Sequence, residues 1–72
     1  MSHTIHAEMV ASVHSVAVAV GESIDAGATL VVLESMKMEI PVLAEASGTV
    51  LEVLVAVGDV VQEGDALVSL SS

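Results

Sequence analysis

Residues 13 to 34 laid over residues 50 to 71, an offset of 37, agree at ten of 22 positions. Val13, Val16, Val18, Ala19, Val20, Gly21, Gly27, Leu30, Val31 and Leu33 match Val50, Val53, Val55, Ala56, Val57, Gly58, Gly64, Leu67, Val68 and Leu70. So dense an internal duplication restricts the fold sharply. Two copies are too few for a solenoid with its own caps, so the halves are expected to pack face to face about a pseudo-twofold axis. Each copy holds two glycines six apart around an acidic stretch, Gly21 to Gly27 and Gly58 to Gly64, which read as loops between strands.

The residues between these loops read as strands. Val and Ile supply 18 of the 72 residues, and their branched side chains suit a pleated, half-buried surface; helices are poorly supported. Strands are expected near Ile5–Ala7, Ala11–Val18, Thr29–Ser35, Met38–Leu43, Thr49–Leu54 and Ala66–Leu70. Val and Ala alternate from Val16 to Val20, and Val with Leu or Ala from Val53 to Val57, a pattern for a thin sandwich with little interior volume. Pro41 cannot donate to a ladder, which assigns its strand to an edge or to a break in pairing. Gly48 falls opposite Ala11 at the repeat offset and is expected to start the second half. A chain of 72 residues builds one core, so residues 1–72 are expected to form a single domain. It has no Cys, hence no disulfide framework and no tetrathiolate zinc site.

Charge removes several function classes. Ten Asp and Glu against one Lys and no Arg give a net charge of -9, which repels phosphate backbones and anionic membrane surfaces. The lack of aromatic residues also removes the stacking platforms that single strands use. The longest aliphatic runs are five residues, Val16 to Val20 and Val53 to Val57, far below the roughly 20 that a membrane helix needs. The first 36 residues carry no Lys or Arg, so no signal or transit peptide is read. The expectation is a soluble cytoplasmic domain that binds neither nucleic acid nor membrane.

One segment lies outside the duplication: Glu34-Ser35-Met36-Lys37-Met38-Glu39, which joins the halves. Its lysine is the sole Lys or Arg of the chain, and its repeat equivalent would fall at position 74, beyond the last residue. Strands ending at Ser35 and starting at Met38 would leave Met36 and Lys37 as a two-residue hairpin turn. Local chemistry argues against that turn, because such loops prefer Asn-Gly or Asp-Gly; flanking strands and symmetry argue for it. An alkyl ammonium is protonated at neutral pH, and Glu34 and Glu39 nearby are expected to hold that charge, so Lys37 needs an external enzyme to act as a nucleophile.

This string resembles the biotin-acceptor signature of the biotinyl (biotin/lipoyl attachment) domain family, in which a lysine between two methionines projects from a tight hairpin. The paired Gly21/Gly27 and Gly58/Gly64 loops extend the likeness over essentially the whole chain, which in size and motif resembles the small stand-alone biotinylated carrier proteins. The resemblance implies an all-β flattened barrel of two four-stranded antiparallel sheets with quasi-twofold symmetry. It further implies that biotin ligase joins biotin to Lys37 through a biotinyl adenylate, with Met36 and Met38 as adaptable flanking contacts. The tethered cofactor would carry carboxyl from a biotin carboxylase to a carboxyltransferase, and the chain itself would be a carrier and no enzyme. The family most often has Ala where Ser35 stands, a small change expected to leave modification intact.

Plainer readings compete with each of these. A surface Lys is usually a solubilising charge, and Met36 and Met38 could equally be core residues. His3, His6 and His14 lack a paired metal-ligand spacing, and the first two lie near a terminus expected to be mobile. Glu22, Asp25, Asp59, Glu63 and Asp65 read as solvated loop charges, or as a docking surface for basic partners. Lipoylation of the same lysine is the alternative carrier function, disfavoured because lipoyl domains commonly place an acidic residue where Met36 stands. An unmodified interaction module using the Met36-Lys37-Met38 tip is the alternative from another class. No catalytic constellation of Ser/His/Asp, Cys/His or phosphate-loop type is present.

Overall fold

The computed structural model describes residues 2–71, folded into eight strands: β1 (Ser2–His6), β2 (Ala11–Val16), β3 (Ser23–Ile24), β4 (Thr29–Ser35), β5 (Met38–Leu43), β6 (Gly48–Val53), β7 (Val60–Val61) and β8 (Ala66–Ser71). They form two four-stranded antiparallel sheets, ordered β1-β8-β6-β3 and β5-β4-β2-β7. Adding 37 carries β1, β2, β3 and β4 onto β5, β6, β7 and β8, and each sheet takes two strands from either half, so the duplication in sequence is a duplication in topology. Pro41 lies in β5, an edge strand, as its missing N–H requires.

The halves interlock through their loops. Val13 N–H donates to Asp59 O at 2.8 Å while Val50 N–H donates to Glu22 O at 2.9 Å; Gly58 N–H donates to Val13 O at 2.9 Å and Gly21 N–H to Val50 O at 2.8 Å. Each half therefore satisfies backbone groups that the other half's loop exposes. The two shortest strands, β3 and β7, arise in the same way, β3 pairing with β6 and β7 with β2. Neither was expected from the sequence, because two residues carry no periodicity and their ladder partners lie in the opposite repeat.

The loops themselves are built from β-turns with glycine third, at Ala19–Glu22, Asp25–Ala28, Ala56–Asp59 and Gln62–Asp65, each closed by a backbone bond of 2.9 to 3.1 Å. Gly21 and Gly58 sit at φ 91° and 94°, the left-handed value that a type II turn demands of that position. These turns also correct two expectations. The alternation expected to carry a strand to Val18 runs out at Val16, and Val20 and Val57 are exposed because they occupy turn positions. The acidic loop residues are also more than solvated charges. Glu22 Oε1 accepts from Ala19 N–H at 3.0 Å, Asp59 Oδ2 from Ala56 N–H at 2.9 Å and Asp65 Oδ2 from Gln62 N–H at 2.8 Å. Each carboxylate thus locks the first residue of its own turn.

The core is assembled from symmetry mates. Leu30 and Leu67, Leu33 and Leu70, Val31 and Val68, and Val13 and Val50 are all buried, with Ala7 and Ala44 closing opposite ends. Burial of a leucine side chain contributes about 1.5–3 kcal/mol, so the four fully buried leucines are the main apolar support of a body measuring 33 × 18 × 17 Å. His3 and His6, expected in a mobile terminus, instead belong to β1, where His3 pairs with Leu70 and His6 with Ala66 of β8.

Candidate functional site

The β4–β5 hairpin holds the only cation of the chain at its tip. Leu33 pairs with Ile40, Glu34 with Glu39 and Ser35 with Met38, which leaves Met36 and Lys37 as a two-residue loop. Both adopt positive φ, 52° and 64°, the signature of a type I′ turn. Among the described residues they are the only non-glycine positions with positive φ. The strands on either side impose this conformation against the preference of both residues, since a side chain in the left-handed region is crowded by its own backbone.

Met36 is 92% exposed and Met38 65%, so neither belongs to the core. Lys37 between them is exposed as well. The tip is thus an amine flanked by two flexible thioethers, all three available to an incoming protein surface. Methionine suits such contacts because it is unbranched and polarizable and adapts to differently shaped partners.

Lys37 forms no close ion pair with its neighbouring carboxylates. Among the described residues no carboxylate lies within 4.0 Å of Nζ, and Glu39 is turned towards β2, with Oε2 at 3.7 Å from His14 Nε2. His14 was not connected to this site by sequence, because it is distant along the chain and meets Glu39 only across the intervening strand β4. An exposed pair of this kind adds little stability, at most about 1 kcal/mol. In this arrangement the Glu39 carboxylate lies on the β2 side of the hairpin and the amine is open.

The fold and the tip together define a class: a symmetric β-sandwich that presents one exposed lysine at a hairpin tip. A family model described as biotin-requiring enzyme matches residues 3–70. The chain belongs to this biotin/lipoyl attachment family, and covalently attached biotin is its cofactor. It is 56% identical over 50 residues to a biotinylated protein TB7.3 homolog of Mycobacterium leprae, a match covering 69% of this chain and 70% of that protein. It is 45% identical over 69 residues to a biotin/lipoyl attachment protein of Bacillus subtilis, covering 96% and 94%. Among solved structures it superimposes with a TM-score of 0.91 and 37% identity on a single-chain, multi-domain long-chain acyl-CoA carboxylase, covering 97% of this chain and 7% of that one. The chain therefore corresponds in fold to a small part of that carboxylase. No helix among the described residues is long and apolar enough to cross a membrane.

Proposed function

We propose that residues 1–72 act as a single biotin carboxyl carrier in which Lys37 is the attachment site, with Met36 and Met38 as recognition contacts for biotin ligase. The observation that carries this reading is the exposed Lys37, alone in its charge, held by an otherwise unfavourable turn at the joint between two repeats. The turn leaves Lys37 exposed at the end of the hairpin, where a ligase can surround it. Within the ligase Nζ loses its proton and attacks the carbonyl of adenylated biotin, forming an amide as AMP leaves. The loss of one positive charge takes the net charge from -9 to -10.

When attached, biotin supplies a ring nitrogen that carries a carboxyl group between sites. The protein's part is to hold that cofactor on a rigid hairpin and raise its local concentration at whichever site is docked. The partners in this reading are a biotin carboxylase and a carboxyltransferase in the cytoplasm, and the acidic turns at Glu22, Asp25, Asp59, Glu63 and Asp65 offer a surface for basic patches on them.

The test is intact mass and peptide mapping after incubation of the unmodified protein with ATP, biotin and biotin ligase. Wild type should gain one biotinyl group on Lys37, and Lys37→Arg should gain none while its stability changes by less than about 0.5 kcal/mol, as expected for an exposed tip. Labelling of Lys37→Arg would overturn the assignment of the site, and no mass gain by the unmodified wild type would overturn the carrier reading.

A further inference from the structure

Beside the acceptor hairpin a cleft of about 410 Å³ opens between β1 and β5, the edge strands of the two sheets. These strands are symmetry mates, so an undifferentiated cleft would be lined alike from both halves. It is not. Met9, Leu33 and Ile40 line it, whereas their mates at the repeat offset, Ala46, Leu70 and His3, do not. Leu33 and Ile40 are a cross-strand pair of the hairpin itself, and Met9 and Ile40 are larger or more apolar than Ala46 and His3. The duplication has thus diverged to give the cleft an apolar end on the strands that carry Lys37.

We propose that the biotinyl arm on Lys37 folds back and rests in this cleft, an inference that depends on Lys37 being the attachment site. The reach is sufficient. Ile40 is three residues from Lys37, about 10 Å along a strand at ~3.4 Å per residue. The lysine and valeryl carbons together span eleven bonds, about 14 Å when extended. The volume lies within the range of small-molecule sites, about 300–1,000 Å³. The chemistry also matches. The methylenes and sulfur ring of the arm find Met9, Leu33 and Ile40, and the N–H groups of the uncharged urea head find an acceptor in the Glu8 carboxylate next to Met9. A seated arm is ordered only transiently, because a partner enzyme offering a deeper pocket displaces it by mass action.

The experiment compares isotope-labelled protein before and after biotinylation, with intact mass and peptide mapping confirming one biotinyl group on Lys37. Methyl resonances of Met9 and Ile40 should shift, with nuclear Overhauser contacts to the biotin ring protons. Met9→Ala, whose spectrum reports directly that it is folded, should lose those contacts and release the ring. Shifts confined to residues 35–39, with ring resonances matching a free tail, would overturn the inference while leaving the carrier reading intact. Absence of the mass gain would overturn both, and mass spectrometry distinguishes the two failures.

Discussion

Replacing Met36 by Asn should make this protein more stable and a poorer ligase substrate. Met36 holds φ at 52° while 92% exposed, so its side chain contributes almost no packing to offset the strain of its backbone. The left-handed conformation costs an ordinary L-residue about 1–2 kcal/mol, and asparagine tolerates it better because its short polar side chain bonds locally. A net gain of about 0.5–1 kcal/mol is expected for Met36→Asn. For a domain of this length 1 kcal/mol corresponds to about 4–8 °C, which places the rise in melting temperature at about 2–8 °C. Met36→Gly relieves the same strain but makes the unfolded chain more flexible, so it should gain less than Asn. The ligase, in contrast, loses an apolar contact; if it buries even half of a methionine, worth about 1 kcal/mol, kcat/KM for biotinylation falls by about fivefold to tenfold. Thermal and urea unfolding of the unmodified protein give the first quantity, and initial rates of mass gain give the second. Unchanged or reduced stability would refute the argument from backbone strain, and unchanged labelling would refute the role given to the methionine.

Other expectations follow from the symmetry. Gly21→Ala and Gly58→Ala should each lose about 1–2 kcal/mol, and by amounts within about 0.5 kcal/mol of one another, because both sit at φ above 90° with open space around the missing Cβ and so carry only the backbone term. Urea midpoints of the two variants would show this, and a large difference between them would mean that the loops are not energetically equivalent. Leu30→Ala and Leu67→Ala remove fully buried side chains at matched positions and should each cost about 2.7–5 kcal/mol. In a small domain a loss of that size takes much of the total stability, so circular dichroism should find both variants partly or wholly unfolded.

Much of the architecture is legible in the chain because it is written twice. The matched Leu30/Leu67 and Leu33/Leu70 pairs specify a symmetric core, the spaced glycines mark the loops, and Pro41 identifies an edge. Lys37 stands out in the same way, as the only cation and at the joint where the repeat is broken. The strands β3 and β7 do not stand out, since Ser23–Ile24 and Val60–Val61 become strands only when a partner from the opposite half is laid beside them. Glu22 and Asp59 likewise look like ordinary surface charges until the turn geometry aims their carboxylates at the backbone of Ala19 and Ala56.

The sequence by itself determined the features that depend on residue type and spacing: an all-β chain in two equivalent halves, no cysteine chemistry, and one lysine marked out by its surroundings. The tertiary structure decided what depends on contacts distant along the chain. It set Met36 and Lys37 in a left-handed turn that neither residue prefers, because the ladders of β4 and β5 outweigh local propensity. It drew Glu39 to His14 across β4 and left the lysine amine unpaired. It also opened a cleft towards the hairpin on one side of the pseudo-twofold axis, because Met9 and Ile40 are replaced by Ala46 and His3 at the equivalent positions and only the packing of β1 beside β5 brings them together.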